Sequence, residues 1–254
     1  MQIVKSIKEI KSIIKALNND SIGLVPTMGN LHQGHVSLIK KSLGGNDKTI
    51  LTIFVNPTQF NNKEDLDNYP ITLGEDQRLA EKLGVDILFL PQYEEIYPDN
   101  FSFKVINDTN FSKIFEGKYR PNHFTGVLTV VLKLLLITRP NKAYFGEKDY
   151  QQLKLVQDMT KAFFLETEII CCKTIRNSDD LPLSSRNNRL SSCGLNKAAL
   201  FSRLLNSDLS TQEIKNKLVH EGFKVEYIEE YNSRRLGAVE FENVRLIDNI
   251  EVKK

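Results

Sequence analysis

Short apolar runs that alternate with helix-like patterns constrain the fold of this chain most strongly. Runs without strict polar–apolar alternation are typical of strands covered on both faces, and their alternation with helices predicts a parallel sheet. The predicted strands lie at residues 22–26, 49–55, 86–90, 142–145 and 166–174, and the predicted helices at 36–43, 73–83, 127–137 and 149–164. We therefore expect an α/β fold with a doubly wound parallel sheet.

The pattern changes after residue 175. A polar stretch at 176–180 has the composition of a loop. The following segments predict helices at 193–206 and 210–221 and strands at 224–231 and 244–250. We expect two domains, residues 1–175 and residues 176–254, the second a smaller α+β domain. At the other end of the chain, residues 1–17 place lysine and isoleucine with helical spacing, which predicts a helix.

Composition excludes some classes of function. The 254 residues are 41% hydrophobic and 26% charged, with a net charge of +2, so nothing favours binding to nucleic acid or to a membrane. The longest apolar stretch, 127–137, is interrupted by Lys133 and is well short of the roughly 20 residues that span a bilayer. The three cysteines form no CxxC pair, and no leader pattern opens the sequence. We expect a cytoplasmic protein with free thiols.

The segment 26–35, PTMGNLHQGH, holds two of the four histidines of the chain, His32 and His35. It lies where the first predicted strand is followed by a helix, a place where α/β folds bind phosphate. Gly29 and Gly34 favour a tight turn or the close approach of a ligand. Two imidazoles there can donate to phosphate oxygens as charge moves onto a leaving group. The alternative is a pair of turn histidines satisfied within the protein; we favour the first interpretation.

Segment 54–60, FVNPTQF, follows the second predicted strand. Asn56 and Gln59 carry amides that can bind hydroxyls and carboxylates, and the alternative is a proline turn with an asparagine cap.

Segment 145–152, FGEKDYQQ, is another turn between a strand and a helix, and Lys148 there is a natural phosphate ligand. Asp149 with Gln152 also fits a helix capping box, so the spacing leaves those two residues open.

Two further segments have both a functional and a structural interpretation, and a third has a structural one. Ser184, Ser185 and Arg186 in LPLSSRN fit a phosphate clamp or a polar loop whose serines cap a helix. Segment 116–126 is interpreted as a turn before a capped helix. Asp76 opens a predicted helix, where acidic residues suit the helix dipole; a magnesium ligand is the second interpretation.

In this order, the motifs resemble those of the pantothenate synthetase (pantoate–β-alanine ligase) family of the HxGH nucleotidyltransferase superfamily. The matching segments are PTMGNLHQGH, FVNPTQF, DLDNYP, EGKYRPNHFTGV, FGEKDYQQL and LPLSSRN, spread over residues 22 to about 190. The resemblance implies a Rossmann-like N-terminal domain, a smaller C-terminal lid domain and a homodimer. It also implies a ligation in which pantoate and ATP form pantoyl adenylate and pyrophosphate, after which β-alanine gives pantothenate and AMP.

The resemblance further implies roles for individual residues, with His32, His35 and Lys148 catalytic. Gln59 and Gln152 would bind pantoate. ATP would be bound by Pro26, Thr27, Met28, Gly146, Lys148, Asp149, Ser184, Ser185 and Arg186. A Mg²⁺ ion would bridge the ATP phosphates, with Asp76 as a weaker protein ligand.

The sequence departs from the family pattern at three positions. Asp180 and Asn122 stand where a glycine is common, and Leu183 replaces a methionine. Two rival hypotheses remain. The first is another HxGH transferase acting on a phosphorylated alcohol; such an enzyme would need a cationic acceptor pocket, whereas Gln59 and Gln152 are neutral. The second is a nucleotide-binding scaffold without turnover.

Overall fold

A computed structural model describes residues 1–252, and the chain divides into two compact units. The first comprises Met1–Glu147 and Gln151–Cys172, and the second comprises Lys148–Tyr150 together with the chain from Lys173 onward. The predicted domain boundary at residues 175 and 176 stays a prediction.

The first unit contains a six-stranded sheet in which every pair of neighbouring strands is parallel. Its strands are β1 (Gln2–Val4), β2 (Ile22–Thr27), β3 (Lys48–Ile53), β4 (Ile87–Phe89), β5 (Lys142–Gly146) and β6 (Glu168–Cys172). The order across the sheet is β1-β4-β3-β2-β5-β6, which confirms the predicted doubly wound sheet. The prediction of a helix from residue 1 was wrong at its start, because β1 pairs with β4, a contact between distant residues that local periodicity does not reveal.

Helices cover both faces of this sheet. The helices between and beside these strands in the sequence are α1 (Ile7–Leu17), α2 (Gln33–Leu43), α3 (Lys63–Asp67), α4 (Leu73–Leu83), α5 (Tyr93–Ile96), α6 (Glu116–Tyr119), α7 (His123–Thr138) and α8 (Tyr150–Ala162). Successive strand residues point to opposite faces. Leu24 of β2 accordingly packs into the core formed with α1, α7 and α8, whereas Val25 packs into the core formed with α2 and α4. Burial on both faces explains why these strands lack polar alternation.

The strand order places a topological switch point beside β2. The chain leaves β2 for β3 on one side, and β5 later joins β2 on the other. In open α/β sheets, ligands bind outside the carboxyl ends of the strands at such a point. The loop after β2 ends at His32, and His35 lies in the first turn of α2, so the fold places both histidines where a ligand crevice is expected.

Helix α7 contains the predicted buried helix and extends it to 16 residues, of which 12 are buried. Among the described residues, no helix combines the length and apolar character needed to cross a membrane. Lys133 interrupts its apolar sequence, and its ammonium donates to Asp99 at 2.9 Å. Asp99 also accepts from the backbone N–H of Phe103; that bond and the bond from Lys133 lower the pKa of Asp99 to about 2.

The second unit is an α+β arrangement with its own apolar core, which includes Phe201, Ile214, Leu218 and Val239. Its elements are α9 (Ser192–Leu205), α10 (Thr211–His220), β7 (Lys224–Tyr231), β8 (Arg234–Phe241) and β9 (Val244–Glu251). The strands form an antiparallel sheet in the order β7-β8-β9. The two helices and the outer strands were predicted, but the central strand β8 was not.

Candidate active site

The loop after β2 is held in place by a buried carboxylate from α4. Asp76 accepts from the backbone N–H of Asn30 at 2.9 Å and from that of Leu31 at 2.8 Å, using both oxygens. Thr72 Oγ1 donates to the same carboxylate at 3.2 Å. Gly29 takes a φ of +83°, and a Cβ there would lie 3.1 Å from Asp76 Oδ2, so glycine suits the close approach. Asp76 therefore fixes the backbone that leads into His32.

The two histidines cap the start of α2 reciprocally. His32 Nδ1 accepts from the backbone N–H of Gly34 at 3.1 Å, and His35 Nδ1 accepts from the backbone N–H of His32 at 3.3 Å. The ring centroids are 4.1 Å apart. A backbone N–H can only donate, so both Nδ1 atoms are acceptors, and each neutral ring carries its proton on Nε2.

This arrangement agrees with the interpretation of turn histidines satisfied within the protein, and the ligand role of the two rings stays a prediction. The Nδ1 atoms satisfy backbone donors at the helix start, as capping residues do. The Nε2–H groups are the donor sites of the rings, and they sit at the positive end of the α2 dipole. The pair can therefore act as two preoriented donors toward an anion.

The turn after β3 is organised by a buried amide. Asn56 is 1% exposed, and its Nδ2 donates to Gln59 Oε1 at 3.0 Å. Its Oδ1 accepts from the hydroxyl of Tyr97 at 2.9 Å and from that of Thr58 at 3.0 Å. Burial raises the pKa of Tyr97 to about 12, which keeps its hydroxyl protonated as a donor. Asn56 thus supports the turn, and Gln59 is the more exposed amide of the two.

Gln59 links this turn to the histidine loop. Its Nε2 lies 3.1 Å from Met28 Sδ, so two of the predicted ligands, from separate segments, are in contact. Helix α7 also approaches this turn closely at Gly126. A Cβ on Gly126 would lie only 2.4 Å from the Thr58 carbonyl oxygen. Met28, Gln59 and the histidine loop therefore form one continuous group of residues in the first unit.

Segment 116–126 is more than the predicted turn before a capped helix. Asn122 precedes α7 with no side-chain cap bond, at a φ of +65°. Arg120 donates to His123 Nε2 at 3.0 Å, which leaves His123 Nδ1 to donate to the Gln59 backbone carbonyl at 2.8 Å. Arg120 also lies 3.6 Å from the carboxylate of Glu116. Sequence reasoning missed this network, although the unusual pairing of arginine and histidine near the helix start was a signal.

Two neighbouring glutamines at the start of α8 differ in their environment. Gln151 is buried, donates to the Phe111 and Ile114 carbonyls at 2.6 and 2.9 Å, and accepts from the Glu116 N–H at 3.0 Å. Gln152, the predicted pantoate ligand, is half-buried. Gln151 therefore has a supporting role, and Gln152 is the more exposed of the two residues.

The turn that carries Lys148 belongs to the second unit. Lys148 and Asp149 lie in a short 3-10 helix, Glu147–Asp149, immediately before α8, with Lys148 Nζ 3.9 Å from Asp149 Oδ1. The Lys148 carbonyl accepts from Asn249 Nδ2 at 2.9 Å. The Lys148 side chain is 18% exposed, and that of Asp149 is 46% exposed. The phosphate and ribose roles of these residues stay predictions.

In the predicted phosphate clamp, the structure supports the capping alternative for one serine. Ser184 Oγ accepts from the Arg186 N–H at 3.3 Å and caps a 3-10 helix, Ser185–Arg189. Asp180, where a glycine was expected, has a φ of +68° in the left-handed region, which aspartate tolerates better than most residues. Asn122 has a φ of +65° and is likewise a residue type that tolerates this region.

A metal site formed by the protein alone does not fit the part of the chain that the structure describes. No group of three or more His, Cys, Asp or Glu side chains in residues 1–252 is placed to hold a metal ion. Asp76, the predicted weaker ligand, already directs both oxygens to backbone donors.

Comparison with known proteins identifies what the chain is similar to. A family model described as Pantoate-beta-alanine ligase matches residues 2–251. A pantothenate synthetase from Coxiella burnetii (strain Dugway 5J108-111) is 51% identical over 253 residues, covering 100% of this chain and 98% of the relative. The solved pantoate-beta-alanine ligase from Francisella tularensis, complexed with beta-gamma ATP and beta-alanine, superposes with a TM-score of 0.96 at 46% identity, covering 99% and 97% of the two chains. Pantothenate synthetase from Thermus thermophilus gives 0.92 at 36% identity, with full coverage of both chains.

Proposed function

The chain belongs to the pantoate-beta-alanine ligase family, and from that premise we propose that it joins pantoate to β-alanine with ATP through a pantoyl-adenylate intermediate. The observation that carries the proposal is the reciprocal capping of His32 and His35, which orients two imidazole donors at the carboxyl edge of a parallel sheet. The complex of the Francisella relative with beta-gamma ATP and beta-alanine supports two of the three substrates.

The first step forms a bond between a pantoate carboxylate oxygen and the α-phosphorus of ATP. The bond from that phosphorus to the bridging oxygen breaks, and pyrophosphate leaves with the electron pair. In the second step the neutral amine of β-alanine attacks the acyl carbon, AMP leaves, and the amine proton passes to water. The first step brings two anions together, so charge neutralisation and alignment matter more than a strong base.

The histidines serve the first step in this proposal. Their Nε2–H groups donate to phosphate oxygens as negative charge develops on the leaving pyrophosphate. The α2 N-terminus adds its positive dipole end in the same place. Because the caps fix both rings before substrate binds, no ring has to reorient during the reaction.

The remaining roles follow the family pattern. We propose Gln59 and Gln152 as pantoate ligands and Lys148 as a catalytic phosphate ligand. ATP is further bound by residues at the carboxyl ends of β2 and β5, in the segments just after these strands, and in the segment 184–186: Pro26, Thr27, Met28, Gly146, Asp149, Ser184, Ser185 and Arg186. Mg²⁺ enters with ATP, held by the nucleotide phosphates, whose charge it neutralises. We propose a homodimer in the cytoplasm, where a reducing environment keeps the three cysteines as free thiols.

The proposal is tested by incubating the protein with ATP, Mg²⁺ and pantoate, with and without β-alanine. We expect pyrophosphate to appear only when pantoate is present, and AMP with pantothenate only after β-alanine is added. Pyrophosphate release that needs a phosphorylated alcohol instead would support the rival transferase. The absence of turnover with either acceptor would support the scaffold hypothesis.

Two substitutions at His35 separate its cap from its donor. His35→Asn retains an acceptor near the position of Nδ1 and removes Nε2–H, whereas His35→Gln retains a donor near Nε2 and removes the cap acceptor. We expect His35→Asn to remain stable and to form adenylate about 10²–10³-fold more slowly. We expect His35→Gln to lose stability and retain more activity. His220→Ala, an exposed histidine of α10, is the control and should match the wild type. Equal activity in His35→Asn and the wild type would remove His35 from catalysis.

A further inference from the structure

Asn249 of β9 makes hydrogen bonds that reach the turn carrying Lys148. It is 4% exposed, and its Nδ2 donates to the Lys148 carbonyl at 2.9 Å. Its Oδ1 accepts from Arg234 Nη1. A buried amide with both ends engaged holds a fixed orientation, so Asn249 restrains the backbone of the residue whose ammonium is proposed to bind phosphate.

Arg234 restrains the same turn on its far side. Its guanidinium lies over the ring of Tyr150, 4.5 Å from the centroid, as cation–π pairs do. β8 and β9 pair so that Asn249 lies opposite Leu236, two residues from Arg234 on the same strand face. Residues 148–150 are therefore contacted at their first residue by Asn249 and at their last by Arg234.

The strand that carries Asn249 is itself anchored by a buried ion pair. Arg176 donates to the two carboxylate oxygens of Asp248 at 2.7 and 2.8 Å, and the Asp248 side chain is 0% exposed. The backbone N–H of Asn249 donates to Asp248 Oδ1 at 2.8 Å. A bidentate pair of this kind fixes geometry in two directions, so Asn249 acts from a rigid support.

From these contacts we propose that Asn249 is a positioning residue for adenylate formation, which acts by fixing the backbone of Lys148 with the help of Arg234. The inference rests on the proposed function, because it assigns Asn249 an effect only through the phosphate role of Lys148. No motif of the sequence marks Asn249, since its partner is 101 residues away.

A double-mutant cycle tests the inference, because residues that act through one another give non-additive effects. Pantoate-dependent pyrophosphate release is measured in the wild type, Asn249→Ala, Lys148→Ala and the double variant. We expect Asn249→Ala to lower the rate about 3–10-fold, the scale of one hydrogen bond. In the Lys148→Ala background the same change should have little further effect. Asn216→Ala, an exposed asparagine of α10, is the control and should leave the rate unchanged.

Thermal unfolding of each variant accompanies the cycle. If Asn249→Ala does not fold, Asn249→Asp replaces it, since aspartate retains the acceptor for Arg234 but loses the donor to the Lys148 carbonyl. Equal fold-losses in both backgrounds, or no loss in a folded Asn249 variant, would overturn the inference and leave the proposed function standing. Wild-type activity in Lys148→Ala would overturn the proposed role of Lys148 and this inference together. Absence of pantoate-dependent release in the wild type would overturn the proposed function itself.

Discussion

Replacing Asp76 by alanine removes the carboxylate that holds the histidine loop. The change leaves the backbone N–H groups of Asn30 and Leu31 without their acceptor. An unsatisfied buried donor costs about 1–3 kcal/mol. Asn30 is buried and Leu31 is partly exposed, so the first group bears most of this cost and water relieves part of the second. We expect a loss of about 2–4 kcal/mol in the free energy of unfolding.

The same change should displace His32, because the released residues lead directly into it. A misplacement of about 1 Å in a catalytic group can cost about 10²-fold in rate. Urea unfolding gives the stability, and pantoate-dependent pyrophosphate release gives the activity. Glu75→Ala, at an exposed position next in sequence, is the matched control. An Asp76→Ala protein with the stability and activity of Glu75→Ala would refute this reasoning.

Asp76→Asn separates the loop anchor from the magnesium hypothesis. The asparagine keeps one oxygen acceptor and puts an NH₂ group in place of the other. If Asp76 anchors the loop, the variant has a lower free energy of unfolding whether or not Mg²⁺ is present. A metal ligand would instead show wild-type stability in metal-free buffer and a raised Mg²⁺ requirement for activity. We expect the first result.

Three further predictions follow from packing, hydrogen bonding and charge. Gly126→Ala should destabilise the protein by about 1–3 kcal/mol in thermal unfolding, because the added Cβ would meet the backbone of the turn after β3. Gly74→Ala in α4 has open space around it and should stabilise the protein by about 0.5–1 kcal/mol. Equal effects of the two changes would contradict the close approach of α7 to that turn. Tyr97→Phe removes the donor to Asn56 and should raise KM for pantoate more than KM for ATP; the reverse would contradict the assigned pocket. The pKa of Asp99 is lowered from 3.8 to about 2 on folding, so the ionised carboxylate stabilises the protein fully above about pH 4, and this contribution is lost as the pH falls through 2. The urea midpoints of the wild type and Asp99→Asn should therefore converge as the pH falls from about 4 to about 2. A constant difference between the midpoints would contradict this contribution of Asp99.

Local patterns predicted the elements whose residues carry both periodicity and burial. β2, β3, β4, β5 and α7 belong to this class, because burial leaves unbroken apolar runs. β1 was missed because its three residues are too few to show a period and it is stabilised by pairing with β4. β8 was missed although both of its neighbours were predicted, and its buried centre at Leu236 and Ala238 forms only in the complete antiparallel sheet.

The sequence motifs named candidate ligands but not the residues that support them. The roles of His32, Gln59 and Met28 stay predictions, although the structure brings Gln59 against Met28. The residues that orient them, Asp76 and Asn56, act through contacts with other segments that spacing does not encode. A side chain that bonds to a distant backbone group leaves no pattern in its own neighbourhood.

The two departures at common glycine positions also have a physical explanation in the structure. Asn122 and Asp180 both have positive φ values, 65° and 68°. Asparagine and aspartate adopt the left-handed region more readily than other residues with a side chain. These two residue types therefore hold a left-handed backbone at a modest cost in strain.

The most direct test of the adenylate chemistry follows an oxygen atom. Pantoate labelled with ¹⁸O in its carboxylate is converted with ATP and β-alanine, and the AMP is analysed by mass spectrometry. If pantoate attacks the α-phosphorus and AMP leaves from the acyl carbon, each AMP carries one labelled oxygen. Unlabelled AMP, or ADP formed together with labelled inorganic phosphate, would contradict the pantoyl-adenylate mechanism.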